Sequence, residues 1–147
     1  MIPADPRTAP TGTRLPTVIL DISQERINRY ADLSGDYNPL HVDPAFGRQS
    51  PFGSTIAHGP LSAACLFQVL AEWSGVPWPG GATFDFIYTA PVRAGDSITA
   101  TGTVAELTPE QAPKWLTVDL SCTNQRGETV IVATARVPLS EQPSTSE

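Results

Sequence analysis

The segment from Leu61 to Trp73 is apolar over most of its circumference and ends ahead of Gly75, a residue type common at helix C-terminal caps. A helix with this pattern belongs in a core. Four strand-like runs follow it, at about residues 82–91, 97–107, 114–124 and 128–138. Aromatic residues alternate along the first run, at Phe84, Phe86 and Tyr88, and turn-forming residues separate the runs, as is typical of antiparallel strands. The pattern therefore predicts an α+β fold in which a curled antiparallel sheet wraps around one central helix.

The beginning of the chain adds a predicted strand over residues 17–21 and a predicted amphipathic helix over residues 23–34. Residues 1–15 are rich in Pro, Thr and Ala and are predicted to form an irregular arm, while residues 140–147 form a polar tail. The chain has 147 residues, of which 40% are hydrophobic, and this is enough apolar material for one core. We therefore expect one domain, over residues 16–139.

The charge of the chain limits its partners. The formal net charge is −6 and the nine Lys and Arg residues are scattered, whereas nucleic acids and anionic membranes call for a clustered basic surface. No stretch approaches the roughly 18 consecutive apolar residues of a membrane span, and the N-terminus lacks the pattern of a secretory signal. We therefore expect a cytoplasmic protein that binds neither nucleic acid nor membrane. Cys65 and Cys122 have no metal-ligand spacing and are predicted to be buried thiols rather than a disulfide.

Both histidines of the chain lie in short motifs, and the first motif also contains an acid. Asp36 and His41 are five residues apart, so on a regular helix they would point roughly 140° away from each other. Asn38 and Pro39 favour a break between them, because a proline disfavours helical geometry in the residue before it and lacks a backbone donor. The segment is therefore predicted to be a non-helical loop that brings a carboxylate and an imidazole together, a common pairing for moving protons at neutral pH.

The same residues also fit ordinary turn chemistry. Asp and Asn side chains accept hydrogen bonds from nearby backbone amides in turns, and Asp43 followed by Pro44 is typical of the cap and first residue of a short helix. An acid and a histidine at this spacing match many loops by chance. Taken alone, these residues leave a purely structural role open.

Three segments together resemble the MaoC-like, or type 2, (R)-specific enoyl-CoA hydratases of the hot-dog fold. The first runs from Tyr30 to Ala45 and contains Ser-Gly-Asp-x-Asn-Pro-x-His-x-Asp, the second is Ile56-Ala-His-Gly59 at the start of the apolar helix, and the third is Pro91-Val-Arg-Ala-Gly-Asp96. The resemblance covers roughly residues 17–138. It implies a hot-dog fold and a hydro-lyase that adds water to a trans-2-enoyl thioester, or removes it from an (R)-3-hydroxyacyl thioester.

The resemblance also implies roles for particular residues. Asp36 and His41 match the catalytic pair that holds the water; Asp36 would accept a proton as the water attacks C3, while His41 orients the water and helps to deliver a proton to C2. The backbone N–H of Gly59 matches the family's oxyanion donor, and a glycine there allows substrate to approach closely. Pro60 departs from an arrangement with two adjacent backbone donors, because proline has no N–H.

Weaker candidates for substrate binding are Asn38, His58, Arg93 and Arg48. Turn chemistry is the more ordinary role for Asn38, and a partly buried structural role is the more ordinary one for His58, whose neighbours in the chain are apolar. The arginines are candidates because coenzyme A carries phosphates, although each also fits a solvated surface charge. No metal and no separate cofactor is expected, since coenzyme A or an acyl-carrier protein would be part of the substrate.

Two further expectations concern assembly and alternatives. A curled sheet of about five strands leaves an open edge, and proteins of this fold generally pair, so we expect a homodimer. A hot-dog thioesterase is the first alternative, but the apolar helix contains no carboxylate before Glu72 to activate water. The second is a non-catalytic binding or assembly subunit, which would not require both Asp36 and His41.

Overall fold

A five-stranded antiparallel sheet is the main element of the fold. The structure is a computed structural model that describes residues 5–74 and 81–139. The strands are β1 (Val18–Ile22), β2 (Thr83–Tyr88), β3 (Asp96–Thr108), β4 (Trp115–Asn124) and β5 (Thr129–Pro138). Their order in the sheet is β1-β3-β4-β5-β2, so β1 and β2 form its two edges. The predicted antiparallel arrangement is confirmed.

Four helices complete the described part of the chain: α1 (Gln24–Ser34), α2 (Pro39–Val42), α3 (Pro44–Gln49) and α4 (Gly59–Ser74). The central helix α4 packs against β1, β3 and β4. It begins two residues before the predicted Leu61, because Gly59 and Pro60 form its first turn, where a proline is tolerated. The predicted hot-dog architecture, a curled sheet around one helix, is confirmed.

The core lies between α4 and the concave face of the sheet. Its largest fully buried side chains come from every layer; they include Ile22, Ile27, Leu66, Ile98, Leu116 and Ile131. Each contributes on the order of 1.5–3 kcal/mol to folding through burial of apolar surface. The helix is not enclosed on every side, because Ala64, Gln68 and Glu72, spaced four residues apart, form an exposed stripe.

Cys65 on α4 and Cys122 on β4 join the helix to the sheet within this core. Both are buried free thiols, and their sulfur atoms lie 2.9 Å apart in a hydrogen bond. The prediction of buried thiols is confirmed.

The described part of the predicted arm, residues 5–15, lies along β3. Arg14 pairs with Thr103, and the N–H of Leu15 donates to the carbonyl of Gly102. Leu15 is buried in the core, as is Ala9. The predicted cap Gly75 and the predicted tail, residues 140–147, lie outside the described residues. Within residues 5–74 and 81–139, no helix is long and apolar enough to span a membrane.

Candidate active site

The loop that carries Asp36 begins where α1 ends. Gly35 has a φ of 76°, a left-handed conformation that glycine adopts without strain, and it turns the chain out of the helix. The backbone N–H of Asp36 donates to Ser34 Oγ at 3.3 Å, and the N–H of Asn38 donates to Asp36 Oδ1 at 3.2 Å. One carboxylate oxygen of Asp36 therefore holds the turn, and Oδ2 remains available.

His41 lies on a one-turn helix and not in an irregular loop as predicted. The predicted break occurs between residues 35 and 38, but Asn38 then caps α2 by accepting the N–H of Leu40 at 3.0 Å, and Pro39 occupies the first helical position. A proline fixes φ at a helical value, so it starts a helix as readily as it ends one. Asp43 caps α3 by accepting the N–H of Ala45 at 3.0 Å, so the predicted cap is confirmed.

The ring of His41 is oriented by a backbone carbonyl. Its Nδ1 lies 2.8 Å from the oxygen of Ile56, and because a carbonyl can only accept, Nδ1 carries the proton. The Nε2 atom of the neutral ring therefore has a free lone pair. It lies 3.8 Å from Asp36 Oδ2, which is too long for a direct hydrogen bond but suits two acceptors that share one water.

His58 lies behind this pair. Its Nε2 is 2.9 Å from the backbone oxygen of Asp36, to which it donates, and its ring stacks on that of His41 with centroids 3.9 Å apart. The ring of Tyr30 also contacts that of His58, tilted by 53° with centroids 4.8 Å apart. His58 is only 2% exposed, and no described protein group bonds to its Nδ1. His58 therefore contacts the backbone of Asp36 and the ring of His41, and it does not line the cavity beside His41.

Asp36, His41 and His58 can each offer a potential metal-ligand atom, and these atoms lie within 4.8 Å of one another. The two imidazole planes, however, are only 27° from parallel. Ring nitrogens coordinate a metal in the plane of the ring, so lone pairs in nearly parallel stacked planes converge poorly on one ion. The geometry suits proton transfer better than chelation.

Two residues without any sequence motif support His41 from the side of α1. Gln24 Nε2 donates to the backbone oxygen of His41 at 2.8 Å. Gln24 Oε1 accepts a hydrogen bond from the hydroxyl of Thr55, a residue that is only 3% exposed. The backbone of Ile56 in turn donates to Leu40 at 3.1 Å. These bonds tie α1, α2 and the segment before α4 together. Sequence reasoning missed Gln24 and Thr55, because contacts between residues 31 positions apart leave no local pattern.

A cavity of about 420 Å³ opens beside His41. Its walls come from the segment before α4, from the first turn of α4, and from the end of β2 and the chain after it; they include Phe52, Ile56, Gly59, Ser62, Tyr88 and Val92. The N–H of Gly59 makes no hydrogen bond within the described residues, and it lies at a helix N-terminus, where the helix dipole favours negative charge. The cavity therefore combines a potential base with a potential oxyanion donor.

Tyr88 explains the glycine at position 59 more directly than substrate access does. A Cβ on Gly59 would lie 3.1 Å from Tyr88 Cζ and 3.2 Å from its hydroxyl oxygen, which is tighter than ordinary contact. Any larger residue would therefore push the Tyr88 ring away. The signal for Tyr88 was present in the sequence, since it continues the alternation of Phe84 and Phe86, but the alternation does not reveal its contact with Gly59.

The two arginine candidates occupy different environments. Arg93 donates from Nε to the backbone oxygen of Phe52 at 3.1 Å, and its own N–H donates to Asp96 at 2.9 Å, so it joins two segments that supply Phe52 and Val92 to the cavity wall, although Arg93 itself does not line the cavity. Arg48 is exposed on α3 and does not line the cavity. The structure brings Asp36, His41, His58 and Gly59 together and leaves Arg48 apart from them.

Comparison with known proteins identifies related sequences and solved structures of the same fold. The model of the "MaoC like domain" family matches residues 6–125. An (R)-specific enoyl-CoA hydratase of Rhodospirillum rubrum is 40% identical over 118 residues, which cover 79% of this chain and 78% of that protein. A 3-hydroxybutyryl-CoA dehydratase of Methylorubrum extorquens is 34% identical over 127 residues, covering 83% and 77%.

A solved structure, the (R)-hydratase from A. caviae involved in PHA biosynthesis, superposes with a TM-score of 0.79 at 26% identity, covering 91% of this chain and 99% of that one. Fold and site thus define a hot-dog protein in which an acid lies beside a histidine that lines a cavity. The chain belongs to the MaoC-like domain family.

Proposed function

We propose that this chain is an (R)-specific enoyl-CoA hydratase, or 3-hydroxyacyl thioester dehydratase, which adds or removes water across the 2,3 double bond of an acyl thioester. The observation that carries the proposal is the gap of 3.8 Å between His41 Nε2 and Asp36 Oδ2, with His41 on the cavity wall. The relatives named above are hydratases and dehydratases.

The two acceptors define how water is held. A water placed between Asp36 Oδ2 and His41 Nε2 donates one O–H to each, so its lone pairs are free to point at C3 of the enoyl group. As the C3–O bond forms, one of these protons passes to the pair. Because the neutral ring of His41 carries its proton on Nδ1, bonded to Ile56, Nε2 can supply a proton to C2 only after it has received one.

The balance of the reaction follows from this arrangement. The hydroxyl of the water goes to C3, and the proton that the pair receives goes to C2. Between these events negative charge develops on the thioester oxygen, and the N–H of Gly59 is the donor we propose for it. Dehydration is the same sequence in reverse.

We propose further that no separate cofactor takes part. Coenzyme A or an acyl-carrier protein would enter as part of the substrate. The acidic chain, with a formal net charge of −6, favours neither carrier by its overall charge. Arg93, which is bonded to Phe52 of the cavity wall, is the better placed of the two arginines to meet a carrier phosphate.

A homodimer formed through β2 is also proposed. Within the described residues β2 pairs only with β5, so its other edge is open, and Ile87 on this strand is 63% exposed. Pairing of β2 with its copy would extend the sheet and cover this side chain. Light scattering coupled to size-exclusion chromatography tests the proposal; a mass of about 15.7 kDa at all concentrations would refute it, because that is the mass of one chain.

The activity is tested with crotonyl-CoA, by following loss of the enone absorbance and resolving the product by chirality. Asp36→Asn and His41→Ala should each lower kcat/KM by about 10²–10⁴, the usual contribution of a positioned acid or base. Asn at position 36 keeps an oxygen for the N–H of Asn38, so the turn should persist. Asp43→Asn is the matched control, because it makes the same change of charge at a helix cap, where Asn serves as well as Asp.

Each outcome has a defined meaning. No hydration by the wild type, or full activity of Asp36→Asn, would refute the mechanism. Release of free thiol without hydration would indicate a thioesterase, although Glu72, the carboxylate on α4, is exposed and accepts a hydrogen bond from Gln68. Binding without either reaction would indicate a non-catalytic subunit.

A further inference from the structure

Pro60 removes one backbone donor next to the Gly59 N–H at the start of α4. Pro60 follows Gly59 and has no N–H, so these two adjacent residues provide one backbone hydrogen bond instead of two. The N–H of Ser62 is already bonded to the oxygen of His58 at 3.2 Å. An enolate oxygen is better stabilised by two fixed donors than by one, so a second donor on the opposite side of the cavity would have a clear catalytic use.

The hydroxyl of Tyr88 lies close enough to Gly59 to be this second donor. Its oxygen is 3.2 Å from the position of a Cβ on Gly59, which puts it within about 4.7 Å of the Gly59 Cα, given a carbon–carbon bond of about 1.5 Å. Tyr88 and Gly59 line the same cavity. A substrate oxygen between them can therefore lie within hydrogen-bond distance of both the amide and the phenol.

The Tyr88 hydroxyl is also free to donate. It makes no hydrogen bond within residues 5–74 and 81–139, whereas the hydroxyl of Tyr37 is bonded to Asp32 at 2.9 Å. Burial, together with the nearby phenol of Tyr30, raises the pKa of Tyr88 above its ordinary value. The group therefore stays protonated throughout the neutral range and keeps its proton available for a hydrogen bond.

We infer that the Tyr88 hydroxyl is a second oxyanion donor, which hydrogen-bonds the thioester oxygen opposite the Gly59 amide as enolate charge develops. The inference rests on the proposed hydratase function. Tyr88 transfers no proton in this role; it donates a hydrogen bond that strengthens as charge builds on the oxygen. Tyr88 would then be a catalytic residue of this chain that compensates for Pro60.

Tyr88→Phe is the decisive variant, because it removes one oxygen and keeps the ring that packs against Gly59. Loss of one oxyanion donor should lower kcat by about 10²-fold and change KM little, since the hydrogen bond is strongest in the transition state. Tyr37→Phe is the matched control: it removes a hydroxyl that is bonded to Asp32 and lies outside the cavity lining, and its kcat should equal that of the wild type. Equal kcat in wild type and Tyr88→Phe would overturn the inference.

A spectroscopic measurement separates this inference from the proposed function. Butyryl-CoA labelled with ¹³C at the thioester carbonyl cannot be hydrated, and infrared difference spectra report how strongly its carbonyl is polarised when bound. We expect the carbonyl band at lower frequency in the wild type than in Tyr88→Phe. The same frequency in both, or no binding of butyryl-CoA to the wild type, would overturn the role of Tyr88. Failure of the wild type to hydrate crotonyl-CoA would instead count against the proposed function.

Discussion

Replacing His58 with phenylalanine should separate stability from activity. The side chain of His58 makes one hydrogen bond, from Nε2 to the backbone oxygen of Asp36, and its Nδ1 is buried with no described protein partner. Phenylalanine has a ring of similar size that can remain stacked on His41 and in contact with Tyr30. The substitution therefore removes a tie to the loop of Asp36 and at the same time removes an unsatisfied polar atom.

These two effects have opposite signs for folding. Loss of one ordinary hydrogen bond costs about 0.5–1.5 kcal/mol, whereas removal of a buried polar atom without a partner gains about 1–3 kcal/mol. Asp36 is exposed, so water can replace His58 at its backbone oxygen and keep the cost low. The free energy of unfolding of His58→Phe should therefore lie between about 0.5 kcal/mol below and about 2.5 kcal/mol above that of the wild type.

Activity should change in the other direction. Without the bond from His58, the turn of Asp36 is held only by its own local hydrogen bonds, and the carboxylate can move relative to His41. Misplacement of a reacting group by about 1 Å can cost on the order of 10²-fold in rate. We expect kcat/KM of His58→Phe for crotonyl-CoA to fall by about 10–10²-fold in a protein that remains stably folded.

Urea denaturation and steady-state kinetics on the same samples measure both quantities. A double-mutant cycle with Asp36→Asn tests whether His58 acts through Asp36: the second substitution should cost little once the carboxylate is gone. Unchanged kcat/KM in folded His58→Phe would refute the reasoning, and so would a full additional loss in the Asp36→Asn background, because His58 would then act on the substrate or on His41 alone.

Two further predictions concern the framework of the site. In Gly47→Ala the new Cβ would overlap the backbone of Thr55, so urea denaturation should show a loss of about 1–3 kcal/mol, and an unaltered midpoint would contradict the packing described. Burial alone raises the pKa of Asp96, but hydrogen bonds, chiefly from Arg126, outweigh it and lower the pKa below its ordinary value. This stabilisation is present above about pH 3.9 and is lost as the pH falls through the lowered pKa of the folded state, so Asp96→Asn should cost about 1.5–3 kcal/mol at pH 7, and the difference should shrink in acid.

The fold could be predicted from the sequence because its main signals are periodic. The apolar surface of α4 reports which face of the helix is buried, and the alternation of Phe84 and Phe86 reports the face of β2 that packs against the core, whereas Tyr88 at the end of this strand is 50% exposed. The first residue of α4 was harder to predict from the sequence, because Gly59 and Pro60 disfavour a helix interior and are tolerated only in a first turn. Helix ends depend on single residues and their caps, and so they are the features that pattern alone locates worst.

The site was predictable only in part. Its motif identifies Asp36, His41 and Gly59 as candidates, since they lie within short segments. The contacts that fix their geometry are long-range: Gln24 reaches His41 from the start of α1, and Tyr88 reaches Gly59 from β2. Such contacts follow from the closure of the sheet around α4, and no local propensity encodes them.

In the structure, Asp36 can hold the turn and also take part in the proposed proton transfer. Asp36 and His41 each have two side-chain atoms that can form hydrogen bonds, and each uses one of them to bind the backbone. Asp36 Oδ1 accepts the N–H of Asn38, and His41 Nδ1 donates to the backbone oxygen of Ile56. The second atoms, Oδ2 and Nε2, are thereby fixed 3.8 Å apart. A site held in this way needs little rearrangement when a water arrives, which is the condition under which an acid–base pair is effective. The turn residues are therefore the means by which the proposed water site is positioned, and a substitution that spared the carboxylate but broke the turn should be nearly as damaging as removal of the carboxylate.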